Sequence, residues 1–159
     1  MPTRRWIFAD QLGPHFVDPG EELLLIESSA VWRRRTYHRA KAQLILSAIR
    51  HRAAELGDAC EHVRATTYSE AVGKAGDLRV SAPTSRGARR LVRQLGVTVD
   101  PARGFVTTEA EFAEWVANRG GRRLLQEDFY RQVRRATGVL MEGDSPVGGQ
   151  WNFDADNRL

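Results

Sequence analysis

Asp10 and Gln11 close one apolar run of the sequence, Trp6-Ile7-Phe8-Ala9, and Glu27 closes a second, Leu23-Leu24-Leu25-Ile26. Carboxylates and a primary amide at the ends of buried strands can hydrogen-bond hydroxyls or ring nitrogens. Downstream, Arg34, His38, Lys41 and Ile45 recur at intervals of three or four residues, so on one helix they would share a face. A cation at the start of such a helix can meet an anionic edge, and the mixture as a whole suits a polar ligand with a flat ring. The plain alternative is that Asp10 and Glu27 only cap strand ends while Arg34, His38 and Lys41 face water. The residues alone leave both readings open.

Other chemistries lack their motifs. No Gly-x-Gly-x-x-Gly follows the first apolar run and no Gly-x-x-x-x-Gly-Lys precedes a hydroxyl, so neither a standard dinucleotide site nor a phosphate-cradling loop is supported. There is no Gly-x-Ser-x-Gly elbow, and His15, His38, His51 and His62 stand in separate contexts without metal-ligand spacing. Cys60 is the single cysteine, so it cannot make an intrachain disulfide or by itself hold zinc or an iron–sulfur cluster. It reads as a small buried hydrophobe near a helix end.

The elements that must position these residues alternate between strand and helix. The two apolar runs predict strands buried on both faces of a parallel sheet. A long helix is expected over Arg34 to Leu56, where Ala42, Ile45, Ile49, Ala53 and Leu56 keep helical spacing and Gly57 supplies a stop. A third strand follows at Val63 to Thr67, then a short helix from Ser69 and a fourth strand at Leu78-Arg79-Val80-Ser81. A helix opened by Thr84 or Ser85 and closed near Gly96, and a fifth strand at Val97-Thr98-Val99, complete the alternation. Thr107-Thr108-Glu109-Ala110-Glu111 carries a capping signature for another helix, and a last amphipathic segment runs from about Leu125 to Ala136. This order implies a doubly wound, Rossmann-like α/β domain with a parallel sheet of about five strands flanked by helices. In such sheets ligands bind beyond the carboxyl ends of the strands where strand order reverses, which draws attention to Asp10 and Gln11.

Composition sets the outer bounds. A chain of 159 residues with 42% hydrophobic and 28% charged residues can bury one core, and no apolar run approaches the roughly 18–20 residues of a membrane span. The amino terminus has a basic start but only a short apolar patch closed by Asp10, so it lacks the centre of a secretory signal, and a cytoplasmic location without membrane contact is expected. The net charge of +4 permits a nucleic-acid partner, although the arginines are spread over several segments and solvated helix faces account for most of them.

The same segments carry a family resemblance. Phe8-Ala9-Asp10-Gln11-Leu12, Leu25-Ile26-Glu27-Ser28, Tyr37-His38-Arg39-Ala40-Lys41 running into Ser47-Ala48-Ile49-Arg50-His51, Phe129-Tyr130-Arg131, Thr137-Gly138-Val139-Leu140-Met141 and the closing Gly148-Gly149-Gln150-Trp151-Asn152-Phe153-Asp154-Ala155-Asp156-Asn157-Arg158 together resemble the amino-terminal part of the bacterial photolyase-related proteins, the branch of iron–sulfur cryptochromes and (6-4) photolyases. The resemblance implies an α/β antenna domain joined to a larger helical domain that holds FAD and an iron–sulfur cluster and uses blue light for DNA repair or signalling. It further implies an antenna chromophore, 6,7-dimethyl-8-ribityllumazine, with Asp10, Gln11, Glu27, His38 and Ile45 as its binding residues and Ile45 against the ring.

On that basis residues 1–137 are expected to form the antenna domain and 138–159 a connector towards the absent FAD-binding helical domain, with the rings of Trp151 and Phe153 folding back on the domain and Asn157 to Leu159 loose. No catalytic residue and no metal site are expected in this chain by itself, and DNA would be met only through a full-length protein. Two other classes stay open: a stand-alone nucleotide- or small-ligand-binding module of the same fold, and a basic module that meets DNA or another protein.

Overall fold

The structure is a computed structural model that describes residues 3–34 and 36–153. The chain divides into two compact units, Met1–Phe105 and Val106–Leu159. The boundary expected at 137/138 therefore falls inside the second unit.

The first unit is built on five parallel strands, β1 (Arg4–Ile7), β2 (Leu23–Ser28), β3 (Cys60–Ala65), β4 (Leu78–Ser81) and β5 (Thr98–Asp100), in the order β3-β2-β1-β4-β5. The chain moves outward from β1 to β3 and then returns to β1's other side with β4, so strand order reverses between β1 and β4. Helices α1 (Ser29–Arg34), α2 (Arg39–Leu56), α3 (Tyr68–Ala75) and α4 (Arg86–Gln94) connect the strands. The α/β Rossmann-like architecture read from the sequence is the observed one.

The period of two along each strand divides the core into two halves. Trp6, Phe8, Leu24, Ile26, Leu78 and Val80 point to the side of α3 and α4, where they meet Ala71, Ala75 and Val92. Ile7, Leu23 and Leu25 point to the other side and pack on Ile49 of α2, with Ile45, Ala53, Leu56 and Cys60 around them. All six residues of β2 are buried, as a strand covered on both faces requires. Each fully buried side chain of this kind contributes about 1.5–3 kcal/mol.

The largest departure from expectation lies between β2 and α2. The helix expected over Arg34 to Leu56 starts later, at Arg39, and Arg34 instead ends a separate short helix, α1. The apolar series Ala42, Ile45, Ile49, Ala53 and Leu56 lies wholly inside α2, and nothing upstream continues its stripe. His38 sets the start of α2: it is the N-cap, with non-helical backbone (φ −59°, ψ 136°), and its Nδ1 accepts from the Ala40 amide at 3.2 Å. Arg34 and His38 therefore do not share a helix face with Lys41 and Ile45. The third strand also begins earlier than expected, at Cys60, so the cysteine opens a strand and its thiol is pushed up by burial.

The second unit holds α5 (Glu109–Ala117) and α6 (Gln126–Thr137). The capping box expected from the sequence is present, with Thr108 Oγ1 accepting from the Glu111 amide at 3.2 Å and the Glu111 carboxylate accepting from the Thr108 amide. Phe112, Trp115 and Phe129 form the unit's ring cluster, with centroids 5.0–5.8 Å apart. The run expected as a connector folds into a hairpin of β6 (Met141–Glu142) and β7 (Ser145–Pro146). Arg134, buried on α6, donates to the carbonyls of Val139 and Leu140 and so satisfies the turn after the helix. Trp151 folds back on this unit, its ring 4.8–5.4 Å from the guanidinium carbons of Arg131, Arg134 and Arg135. Phe153 stays half exposed, and Asn157 to Leu159 lie outside the described residues.

Candidate ligand site at the carboxyl ends of the strands

Glu27 is the penultimate residue of β2 and shares a face with Leu23 and Leu25, the face covered by α2. A carboxylate buried among leucines must find positive partners or lose its charge. The sheet register supplies them from β3, where Leu25 pairs with His62 and Glu27 with Arg64, both on Glu27's side of the sheet. Helix α2 supplies the strongest partner, since Arg50 follows Ile49 and grips Glu27 through two parallel bonds of 2.8 Å. His62 Nε2 lies 2.9 Å from Oε1, and Arg64 Nε lies 3.9 Å from Oε2. The Arg50 hydrogen bonds outweigh burial and, with the charges of Arg50 and His62, hold the Glu27 carboxyl below the usual carboxylate range.

This cluster opens outward. Glu27 is only 8% exposed, but Arg50 and Arg64 are 46% and 66% exposed and face a cleft of about 480 Å³. Trp32 of α1 and Leu46 of α2 give the cleft its apolar surface, and Ser29 and Thr66 add hydroxyls. The volume is in the range of small-molecule sites, and the lining combines one flat aromatic wall with a few polar groups.

At the switch point between β1 and β4 the expected residues have different fates. Gln11 is buried, and its amide is occupied at both ends: Nε2 donates to the Ser81 carbonyl at 3.1 Å, and Oε1 accepts from the Phe8 amide at 3.5 Å. It ties β1 to β4 at the place where their order reverses. Asp10 is exposed and accepts from the Thr84 hydroxyl at 3.0 Å. The phenol of Tyr68 is pushed up by burial first and then by the neighbouring charges of Tyr37 and Asp10.

Of the five expected binding residues, Glu27 lines the cleft; Asp10, Gln11, His38 and Ile45 are not among its lining residues. His38 caps α2, and Ile45 packs on the core under that helix. The sequence reading missed Arg50, Arg64, His62 and Trp32. The signal for Arg50 was present in the demand of a strand carboxylate for a cation, and the alternation His62-x-Arg64 marks a polar edge on one strand face. Trp32 was invisible because α1 was not expected.

A second buried charge lies in the same unit. Arg5 of β1, 2% exposed, donates to Glu21 at 2.6 Å, to Asp100 at 3.0 Å and to the Ser81 hydroxyl at 3.3 Å, while Arg79 grips Asp100 at 2.7–2.8 Å.

Among the described residues no helix is long and apolar enough to cross a membrane. Residues 5–159 match the family model described as deoxyribodipyrimidine photo-lyase-related protein. A relative named (6-4) photolyase, from Agrobacterium fabrum, is 34% identical over 181 aligned residues that cover 96% of this chain and 35% of the relative. An uncharacterized protein, R852, of Acanthamoeba polyphaga mimivirus is 30% identical over 57 residues, 35% of this chain and 29% of the relative. The chain thus spans about a third of the length of the curated relatives it matches.

Proposed function

Because the chain belongs to the deoxyribodipyrimidine photo-lyase-related protein family, we propose that it is the light-harvesting antenna part of a photolyase- or cryptochrome-related protein and that it binds 6,7-dimethyl-8-ribityllumazine. The observation that carries this reading is the cleft over Glu27, with the Trp32 ring as one wall. A lumazine has a flat, polar heterocycle and a hydroxylated chain. Trp32 and Leu46 would hold the ring, and Arg50, Arg64, Ser29 and Thr66 would meet its polar edge and the ribityl hydroxyls. Glu27 would act chiefly by fixing Arg50 in place. The residues present fit the group.

Asp10 and His38 complete the proposed set as exposed polar groups, at the exit of β1 and at the head of α2, with Gln11 and Ile45 holding the backbone and helix that present them. When bound, the chromophore would supply absorption in the near ultraviolet and blue; this chain binds and orients it and contributes no bond-making step. FAD, an iron–sulfur cluster and any repair of DNA belong, in this reading, to a helical domain of the full-length protein, working in the cytoplasm.

Titration of the folded chain with the lumazine, followed by its fluorescence, tests the assignment. A saturable change that is weakened at least tenfold by Trp32→Ala is expected. No saturable change up to about 50 µM ligand would remove the chromophore from the proposal.

A further inference from the structure

The net charge of +4 is not shared evenly by the two units. The first carries seventeen Lys and Arg against eleven Asp and Glu, and the second seven against nine, so the whole basic surplus belongs to the first. Much of that charge is already matched: Arg4, Arg5, Arg50, Arg52, Arg79 and Arg103 each pair with a carboxylate. Helix α4 is different. It has no acidic residue between Arg86 and Gln94, and Ala88, Leu91 and Val92 commit its other face to the core.

Arg86, Arg90 and Arg93 stand at i, i+4 and i+7, opposite that buried face, and all three are exposed. Among the described residues none of the three pairs with a carboxylate. The row is about 10 Å long by the helical rise, and like charges so spaced repel, so the fold gains nothing from keeping them together. The row is therefore free to meet a partner outside the fold.

The chemistry of the face selects that partner. A protein interface centres on a buried cluster of aromatic or apolar anchors against which its arginines pack. The exposed face of α4 has none, since the large exposed apolar residues of this unit are Leu44, Val99 and Phe105. A phosphate backbone needs only the charges, and each guanidinium can grip a phosphate through two bonds. We infer that the α4 arginine row binds the phosphate backbone of nucleic acid without reading its bases. This contact is independent of chromophore binding and lies in the chain itself.

Fluorescence anisotropy of the 159-residue chain against a mixed-sequence duplex of about 20 base pairs, and against a single strand of the same length, tests it. With three phosphates neutralised, duplex affinity should fall about forty-fold between about 50 and 200 mM salt. The variant R86Q/R90Q/R93Q should keep its helix, because Gln is a good helix former at exposed positions. Its plot of log affinity against log salt should be shallower by about 2.7 for the duplex. The control R39Q/R122Q/R123Q removes the same charge elsewhere and should leave that slope intact. Tighter binding of duplex or of single strand identifies which backbone is held, and either supports the assignment. Equal slopes in the α4 variant and the parent, an equal loss in the control, or displacement of the duplex by poly-glutamate at equal charge would each overturn it.

Discussion

Arg5 and Glu27 are both charges buried in the sheet of one unit, and they differ in what surrounds them. Arg5 is enclosed by its hydrogen-bonded partners, Glu21, Asp100 and Ser81, with the exposed Asp18 carboxylate farther off at 3.6 Å, and every donor bond made there returns to the fold. Glu27 is buried too, but two of its partners, Arg50 and Arg64, remain partly in water and face a cleft. A buried charge whose hydrogen-bonded counter-ions are also withdrawn holds strands together, whereas one whose hydrogen-bonded counter-ion is half exposed positions that counter-ion for something else.

Removing Arg5 should have the largest effect. Arg5→Ala leaves Glu21 and Asp100 short of a partner in a withdrawn site, and a loss of about 3–5 kcal/mol is expected in urea unfolding. A loss under about 1 kcal/mol would mean that the enclosed network is not structural. Glu27→Gln is expected to cost less, about 1–3 kcal/mol, because Arg50 can turn to solvent. The same change should weaken lumazine binding at least tenfold by releasing Arg50 and Arg64, and unchanged binding would make Glu27 a second Arg5.

Acid should act on both sites in the same direction. Arg5 holds the Glu21 carboxyl, Arg50 that of Glu27, and Arg79 with Arg5 that of Asp100 below their ordinary values of 4.5, 4.5 and 3.8. A lowered native value adds stability that is present above the unfolded value and lost as pH falls through the native one. The thermal midpoint should therefore be nearly flat from neutral pH down to these ordinary values and fall below them. In Arg5→Ala the fall should be shallower, and an unchanged slope would show that Glu21 and Asp100 do not carry it. The smallest stability effect is expected for Arg64→Gln, within about 0.5 kcal/mol, because Arg64 is largely exposed and 3.9 Å from Glu27. Its ligand affinity should still drop, which separates a binding cation from a structural one in a single variant.

Much of the fold was legible. The run Leu78-Arg79-Val80-Ser81 is a strand over the expected residues, and the Thr108–Glu111 box opens α5. Both signals are local, a short apolar run in one case and a hydroxyl three residues before a carboxylate in the other. The helix over Arg34 to Leu56 failed only at its first turn, before Arg39, because helical spacing of charged residues carries no burial energy, and the His38 cap won. The candidate site was legible only at Glu27.

The sequence by itself determined the alternation of strands and helices, the family, and the presence of a carboxylate in an apolar strand, since each is written in neighbouring residues. The tertiary structure decided what that carboxylate touches. Parallel pairing of β2 with β3 brought His62 and Arg64 beside it, the packing of α2 brought Arg50, and the break before α2 placed Trp32 along the cleft. These partners are 23 to 37 positions away from Glu27 in the chain, or in the case of Trp32 on a helix with no apolar stripe to announce it. Register and packing are collective outcomes of burying the whole sheet, and no local pattern encodes them.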